Sequence, residues 1–479
     1  MLAPSFDELA LLLLASALGA VALLLGGLWL TIMNVLVPVV LMFTMARATI
    51  GMLRVSVATV WTPLLWLRAA IFFYGGFGTV VLIVANDASR DYAEMFFTVY
   101  AHDILEYNVI LVLFTLVMLA VVRIVTARPD YTGERRGLFD LPKSSLDLSV
   151  IGLSFLLLGA AANFMFIIPY QFGYVRTTFP AFLSEVAQAS MIGLFLTTVS
   201  LARRRSPLLL PVIMFGLLFV LLGLLAFSKS STVMPWVMLC LAYFYLRPTL
   251  RRAVIMASSI VALFFLSAPL VDQGRMLMSV RYGGIDAPAP LSERLEMLGT
   301  YFDDRAMASG DEDVNYAALR FSYVNVGSFV VALRDTGQGG STYENAAAIF
   351  VPRALWPDKP IITDDARQLS YQMTGNWNNS LAPGLAPEAY WNGGWLGVVL
   401  IAMLLGTVVS TWSIYNLSVQ LNSAWHLFPI VLLGVRMGSR FDGFFVADVL
   451  GPIAFGVIGH FVLTLANAAV SRRRIDQAA

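Results

Sequence analysis

The chain is poor in the residues that build disulfides, metal centres and charged surfaces. Its one cysteine, Cys240, lies inside an apolar stretch, so no intrachain disulfide can form and no thiolate metal site can be built. The three histidines, His102, His426 and His460, stand far apart without ligand spacing. Each reads as a helix-packing residue, and neither a metal nor a cofactor is expected. Charged residues make up 13% of the chain and the formal net charge is +1, which argues against a nucleic-acid partner. No repeat of about 20–50 residues is evident, nor the half-to-half correspondence that marks inverted-repeat transporters.

What the chain has in excess is apolar sequence. Of 479 residues, 58% are hydrophobic. A soluble protein of that composition cannot cover itself with polar surface. Crossing a hydrocarbon core of about 30 Å takes about 20 apolar residues in a helix. The sequence predicts about twelve such spans, near residues 9–30, 32–46, 60–84, 104–122, 149–169, 181–201, 207–227, 232–246, 253–270, 391–411, 425–437 and 444–470. The fold class is therefore an all-α polytopic membrane protein. The first span lacks a basic leader and a small-residue cleavage site, so it is expected to be a retained helix.

Basic residues set the expected orientation. Arg47, Arg54, Arg123, the run Arg203-Arg204-Arg205, Arg251, Arg252 and the run Arg472-Arg473-Arg474 fall on one side of the spans. Both termini are then cytoplasmic, and residues 271–390 are extracytoplasmic. The expected organisation is an N-terminal bundle over 1–270, an outer loop over 271–390 and C-terminal helices over 391–479. Arg68 lies about 12 Å inside its span by helix rise, within snorkelling range. Asp448, near the start of the last span, should face a bundle interior or an aqueous cavity.

A bilayer protein exposes a long polar segment where it does its work, so 271–390 draws attention. Leu291–Tyr301 has helical apolar spacing, and 315–333 reads as an interfacial helix. Tyr343–Phe350 reads as a short helix capped by Ser341 or Thr342. Regular helix cannot run through Trp356-Pro357, and Gly384 to Pro387 reads as a turn. Arg353 and Lys359 are bracketed by Pro352, Pro357 and Pro360, with Trp356 between. Held this way, a guanidinium and an ammonium suit a diphosphate, and tryptophan suits a sugar face or lipid headgroup. An interfacial elbow whose cations pair with Asp358, Asp364 or Asp365 is the competing reading. Arg320, among apolar neighbours, needs an anion. Glu388, just before re-entry into the bilayer, is a candidate general base or a helix N-terminal carboxylate. Arg440 and Asp442, with Arg436, could close a site from the last outer loop or form a structural ion pair. Tyr390, Trp391 and Trp395 suit an aromatic belt.

Two stretches carry a family resemblance. One is Pro352-Arg353-x-x-Trp356-Pro357-x-Lys359-Pro360. The other is Pro383-Gly384-Leu385-Ala386-Pro387-Glu388-Ala389-Tyr390-Trp391-Asn392-Gly393-Gly394, leading into a span. With a late, large outer loop, this order resembles the bacterial Wzy-type oligosaccharide repeat-unit polymerases, relatives of O-antigen polymerases and ligases. The resemblance implies a helical membrane glycosyltransferase of the GT-C type. Its donor and acceptor are polyprenyl-diphosphate-linked glycans in the inner membrane. A flippase and a chain-length regulator are implied as partners, and no nucleotide is needed. On this reading Arg353, Lys359 and Arg320 hold the diphosphate and Glu388 takes the acceptor proton. Trp356, Arg440 and Tyr390 line the substrate. An O-antigen-type ligase and a lipid-linked glycan flippase are the alternatives.

Overall fold

The computed structural model describes residues 2–127, 139, 141–175, 182–283, 287–307, 319–351, 356, 358–360, 364–377 and 380–478. Among these residues the chain is helical throughout, without strands. Nine helices among them are long and apolar enough to cross a membrane. They are Phe6–Leu25, Gly27–Val55, Pro63–Ile83, Ala101–Thr126, Leu148–Gln171, Val186–Arg203, Leu250–Tyr282, Leu385–Leu421 and Val446–Arg472. In hydrocarbon every backbone polar group must be satisfied within the segment, which leaves helix as the open-chain solution. Leu209–Leu225, Lys229–Leu246 and Phe428–Ser439 are also helical but do not meet that standard of length and apolarity.

Several local expectations change. The first two helices part at Gly26 and Gly27, not near residue 31, because both glycines take positive φ (65° and 57°). Arg68 does not snorkel. It is 2% exposed and its Nη2 lies 3.3 Å from Glu8. Gly384 to Pro387 is not a free turn: Gly384 (φ 87°) is the N-cap, and Leu385 through Pro387 form the first helical turn. Proline is tolerated there because first-turn N–H groups have no intrahelical acceptor.

The chain divides into two compact units. The first comprises Met1–Pro142 and Asp313–Leu465. Its central helix is Ala101–Thr126, which packs on Phe6–Leu25, Gly27–Val55, Val324–Asp335 and Leu385–Leu421. The last of these is two helices joined at Gly394, whose φ of 57° and ψ of −151° only glycine adopts readily. The bend is sharp: a Cβ placed on Gly397 would lie 2.3 Å from the carbonyl oxygen of Ala389. Eight residues of straight helix would separate the two by about 12 Å. So 385–393 is a short helix folded back on the span that begins after Gly394. Its first seven residues, Leu385, Ala386, Pro387, Glu388, Ala389, Tyr390 and Trp391, are each under 9% exposed.

The second unit comprises Lys143–Glu312 and Ala466–Ala479. Its best-defined apolar cluster joins Phe227, Val271, Met278, Ala289 and Met297. Arg294 sits within it at 2% exposure, flanked by the rings of Phe172 and Phe227. Its guanidinium donates to the carbonyls of Ala289, Leu225, Gln171 and Ala287 at 3.1–3.2 Å. One side chain thus ties the ends of several helices together. Arg294→Met should strand those carbonyls at a cost of about 3 kcal/mol or more. The measurement is the thermal unfolding midpoint of detergent-solubilised protein, which should fall; an unchanged midpoint would mean the carbonyls have other donors.

Candidate functional site

The short helix 385–393 is fixed by polar bonds made from its own buried residues. Glu388 is fully buried. Its Oε1 accepts the Thr342 hydroxyl at 2.7 Å, and its Oε2 accepts the Phe445 backbone N–H at 2.6 Å. Asn392 Nδ2 donates to the Thr342 hydroxyl and to the Glu388 carbonyl, both at 2.9 Å. The Leu385 N–H donates to the Phe441 carbonyl at 3.0 Å. On another face, the Tyr390 hydroxyl donates to Asp335 Oδ1 at 2.8 Å. Trp391 Nε1 donates to the Gln338 carbonyl at 3.0 Å. One buried helix thereby positions the segment around Thr342, the end of Val324–Asp335 and the turn 441–445.

That turn carries the polar cluster. Asp442 Oδ2 accepts the Tyr323 hydroxyl at 3.0 Å. Asp442 Oδ1 is buried and has no hydrogen-bond partner among the described residues. Arg440 Nε lies 3.5 Å from Asp448 Oδ1, and Asp448 Oδ2 accepts the Phe444 N–H at 3.1 Å. Tyr74 and Tyr323 meet edge to face at 5.3 Å. Both phenols lie within the field of Arg320, and Arg440 acts on Tyr74. Phe321 packs on Phe73, Tyr74 and Phe77, which brings the exposed Arg320 beside the helix Pro63–Ile83. Arg436 also acts on Asp448.

Two of these groups have a defined charge state. Burial disfavours the charge of Arg440, but Asp448, Asp442, Tyr74 and Tyr323 together hold its pKa above the ordinary guanidinium value. Burial, reinforced by Asp442, raises the Tyr323 phenol well above its ordinary value. Tyr323 therefore remains a donor to Asp442. Tyr74 and Asp448 both sit in π-wound stretches, Ile71–Phe77 and Val446–Leu450. Such windings occur often at functional sites.

The residues singled out from sequence are distributed unevenly. Arg320 and Arg440 share the tyrosine–aspartate cluster. Asp448 is paired as its position required. Glu388 lies behind the cluster, with both oxygens occupied. Tyr390 ties the short helix to Asp335. Lys359 Nζ donates to the Ala348 and Val351 carbonyls at 3.1 and 2.9 Å, fastening the 3₁₀ turn Ala346–Phe350. Trp356 is exposed at 42%. Arg353, Pro352 and Pro357 fall outside the described residues, as do 315–318 of the interfacial segment. Thr342 serves as the hydroxyl donor to Glu388 and caps no helix. Tyr74 and Tyr323 were missed; neither tyrosine gives a sequence signal of an aspartate more than a hundred residues away. Among the described residues, no group of His, Cys, Asp and Glu is arranged to hold a metal.

No protein-family model, curated protein or solved structure matches the chain.

The Thr342–Glu388 bond can be weighed directly. Thr342→Val should cost about 1–3 kcal/mol, because a buried carboxylate oxygen loses its donor. Combined with Glu388→Gln, the losses should fall short of additivity by about 1 kcal/mol or more. Unfolding of the two single variants and the double variant measures this; strictly additive losses would show the bond to be energetically idle.

Proposed function

We propose that the chain is a membrane glycosyltransferase that polymerises polyprenyl-diphosphate-linked oligosaccharide repeat units. In this reading it works at the extracytoplasmic face of the inner membrane, with both termini cytoplasmic. The observation that carries the reading is that the segment Arg320–Tyr323 packs on Tyr74 and bonds to Asp442 in the turn next to Arg440.

The reaction has two demands. An acceptor sugar hydroxyl bonds to the anomeric carbon of the donor as the bond from that carbon to the diphosphate oxygen breaks. The electron pair leaves with polyprenyl diphosphate, and the hydroxyl proton goes to a base. Guanidinium groups of Arg320 and Arg440 meet the first demand by stabilising charge on the departing diphosphate. Asp442 meets the second: among the described residues its Oδ1 has no donor, and its Oδ2 is steadied by Tyr323. Glu388 is fully buried, with one protein hydrogen bond on each oxygen. Glu388 is thus assigned the positioning of the turn that bears Asp442. Lys359 shapes the segment that presents the exposed Trp356 to a sugar or lipid. The resemblance at 352–360 and 383–394 supports the same reading.

The test uses a deletion strain complemented with wild type, Arg440→Gln, Arg320→Gln or Asp442→Asn at equal membrane levels. Polyprenyl-linked glycans are extracted and sized by mass spectrometry. Wild type should yield polymer, and each variant should accumulate single repeat units with polymer reduced about a hundredfold. Long lipid-linked polymer in the deletion strain would instead indicate a ligase. An unchanged lipid-linked pool would sink both enzyme readings and leave the transporter.

A further inference from the structure

A second polar site lies within the first unit, and none of its residues belongs to the cluster around Asp442. A cavity of about 660 Å³ is lined by Arg47, Arg54, Arg68 and Glu8 together with apolar side chains. That volume falls in the range of small-ligand sites. Its floor includes Arg68, a side chain that sequence alone assigns to the bilayer interface.

The charges in this cavity do not balance. Glu8 is the one acid in its lining, against the guanidinium groups of Arg47, Arg54 and Arg68. Glu8 meets Arg68 through a single contact, Nη2 to Oε2 at 3.3 Å. The Arg68 Nε is buried and has no hydrogen-bond partner among the described residues. Leaving such a donor unmet beside a membrane is costly. Arg47 meets Asp7 at 3.6 Å, with both side chains more than half exposed, so that pair is weak. Arg54 has no acid within 4.0 Å among the described residues. The site therefore holds an excess of planar, forked donors, the geometry that matches phosphate oxygens.

The walls say what carries the phosphate. Phe43, Ile50 and Val55 line the cavity and are 60%, 44% and 67% exposed. All three lie on the second half of Gly27–Val55, a helix apolar enough to cross a membrane, which sets exposed apolar side chains beside Arg47 and Arg54. The cavity thus opens where a fatty chain lies beside an anionic head. We propose that it binds the phosphate of an anionic phospholipid, with Arg68 as the buried anchor and Arg54 and Arg47 as exposed partners.

The experiment is lipid binding to the purified full chain by native mass spectrometry after delipidation. Phosphatidylglycerol and phosphatidylethanolamine of matched acyl chains are compared. Phosphatidylglycerol should bind about tenfold more tightly, because phosphatidylethanolamine brings an ammonium group along with its phosphate into a site rich in guanidinium. Arg47→Gln combined with Arg54→Gln should erase that preference; both side chains are exposed, so the fold is kept. Arg68→Gln should do the same, but it strands Glu8, so Arg68→Gln with Glu8→Gln is the matched variant. Equal binding of the two lipids by wild type, or a preference that survives in the Arg47/Arg54 double variant, would overturn the proposal. Inorganic phosphate separates the sources. If millimolar phosphate leaves phosphatidylglycerol bound, the site reads a lipid headgroup; if it displaces the lipid, the phosphate group alone is recognised.

Discussion

The arrangement of the first unit depends on one buried carboxylate. Burying a carboxyl group without hydrogen-bond partners costs several kcal/mol. Glu388 occupies such a position because Thr342 and the Phe445 N–H each fill one of its oxygens. The cost is offset only while both donors stay in place, so the carboxylate enforces the geometry that makes its burial tolerable. The turn 441–445 is held on one side and the segment at Thr342 on the other. Everything that projects from them, including Asp442 and Arg440, inherits that placement.

Three arginines in this chain meet the bilayer problem in different ways. Arg294 distributes its charge over backbone carbonyls and aromatic faces, without a carboxylate partner among the described residues. Arg68 has one acid and one unmet nitrogen. Arg440 stands between aspartates at a half-exposed position. The first gives four of its five N–H groups to backbone carbonyls and serves the fold. The other two keep unused donor capacity, which is what recognition of an external anion requires. Residue type alone cannot separate these roles, because the distinction lies in how many of the five guanidinium N–H groups already have acceptors.

Much of the architecture was legible in the sequence because membrane helices are written in hydropathy. The long apolar segments appear as helices, and the helix from Leu291 was visible in its spacing. The departures have local causes. Gly26 and Gly27 break a run that hydropathy alone would divide elsewhere. Pro387 reads as a turn residue until the helix is seen to begin two residues earlier. The site was half legible. Arg320 and Glu388 stood out as charges where charge is expensive, and Arg440 and Asp442 as charges of the last outer loop. Their partners did not, since Thr342 and Phe445 reach Glu388 across 46 and 57 residues of chain. A backbone N–H donor has no signature in sequence at all.

The distance between those partners also orders events during synthesis. The chain leaves the ribosome from its N-terminus, so residue 388 enters the membrane before residue 445 exists. Until the turn at 441–445 arrives, Glu388 has at most the Thr342 hydroxyl, and the Leu385 N–H lacks the Phe441 carbonyl that receives it. The nascent short helix is therefore an incomplete polar structure waiting on nearly the last span of the protein. A chain that ends between these points has a Glu388 carboxyl with one of its two donors missing and a helix start without its carbonyl acceptor.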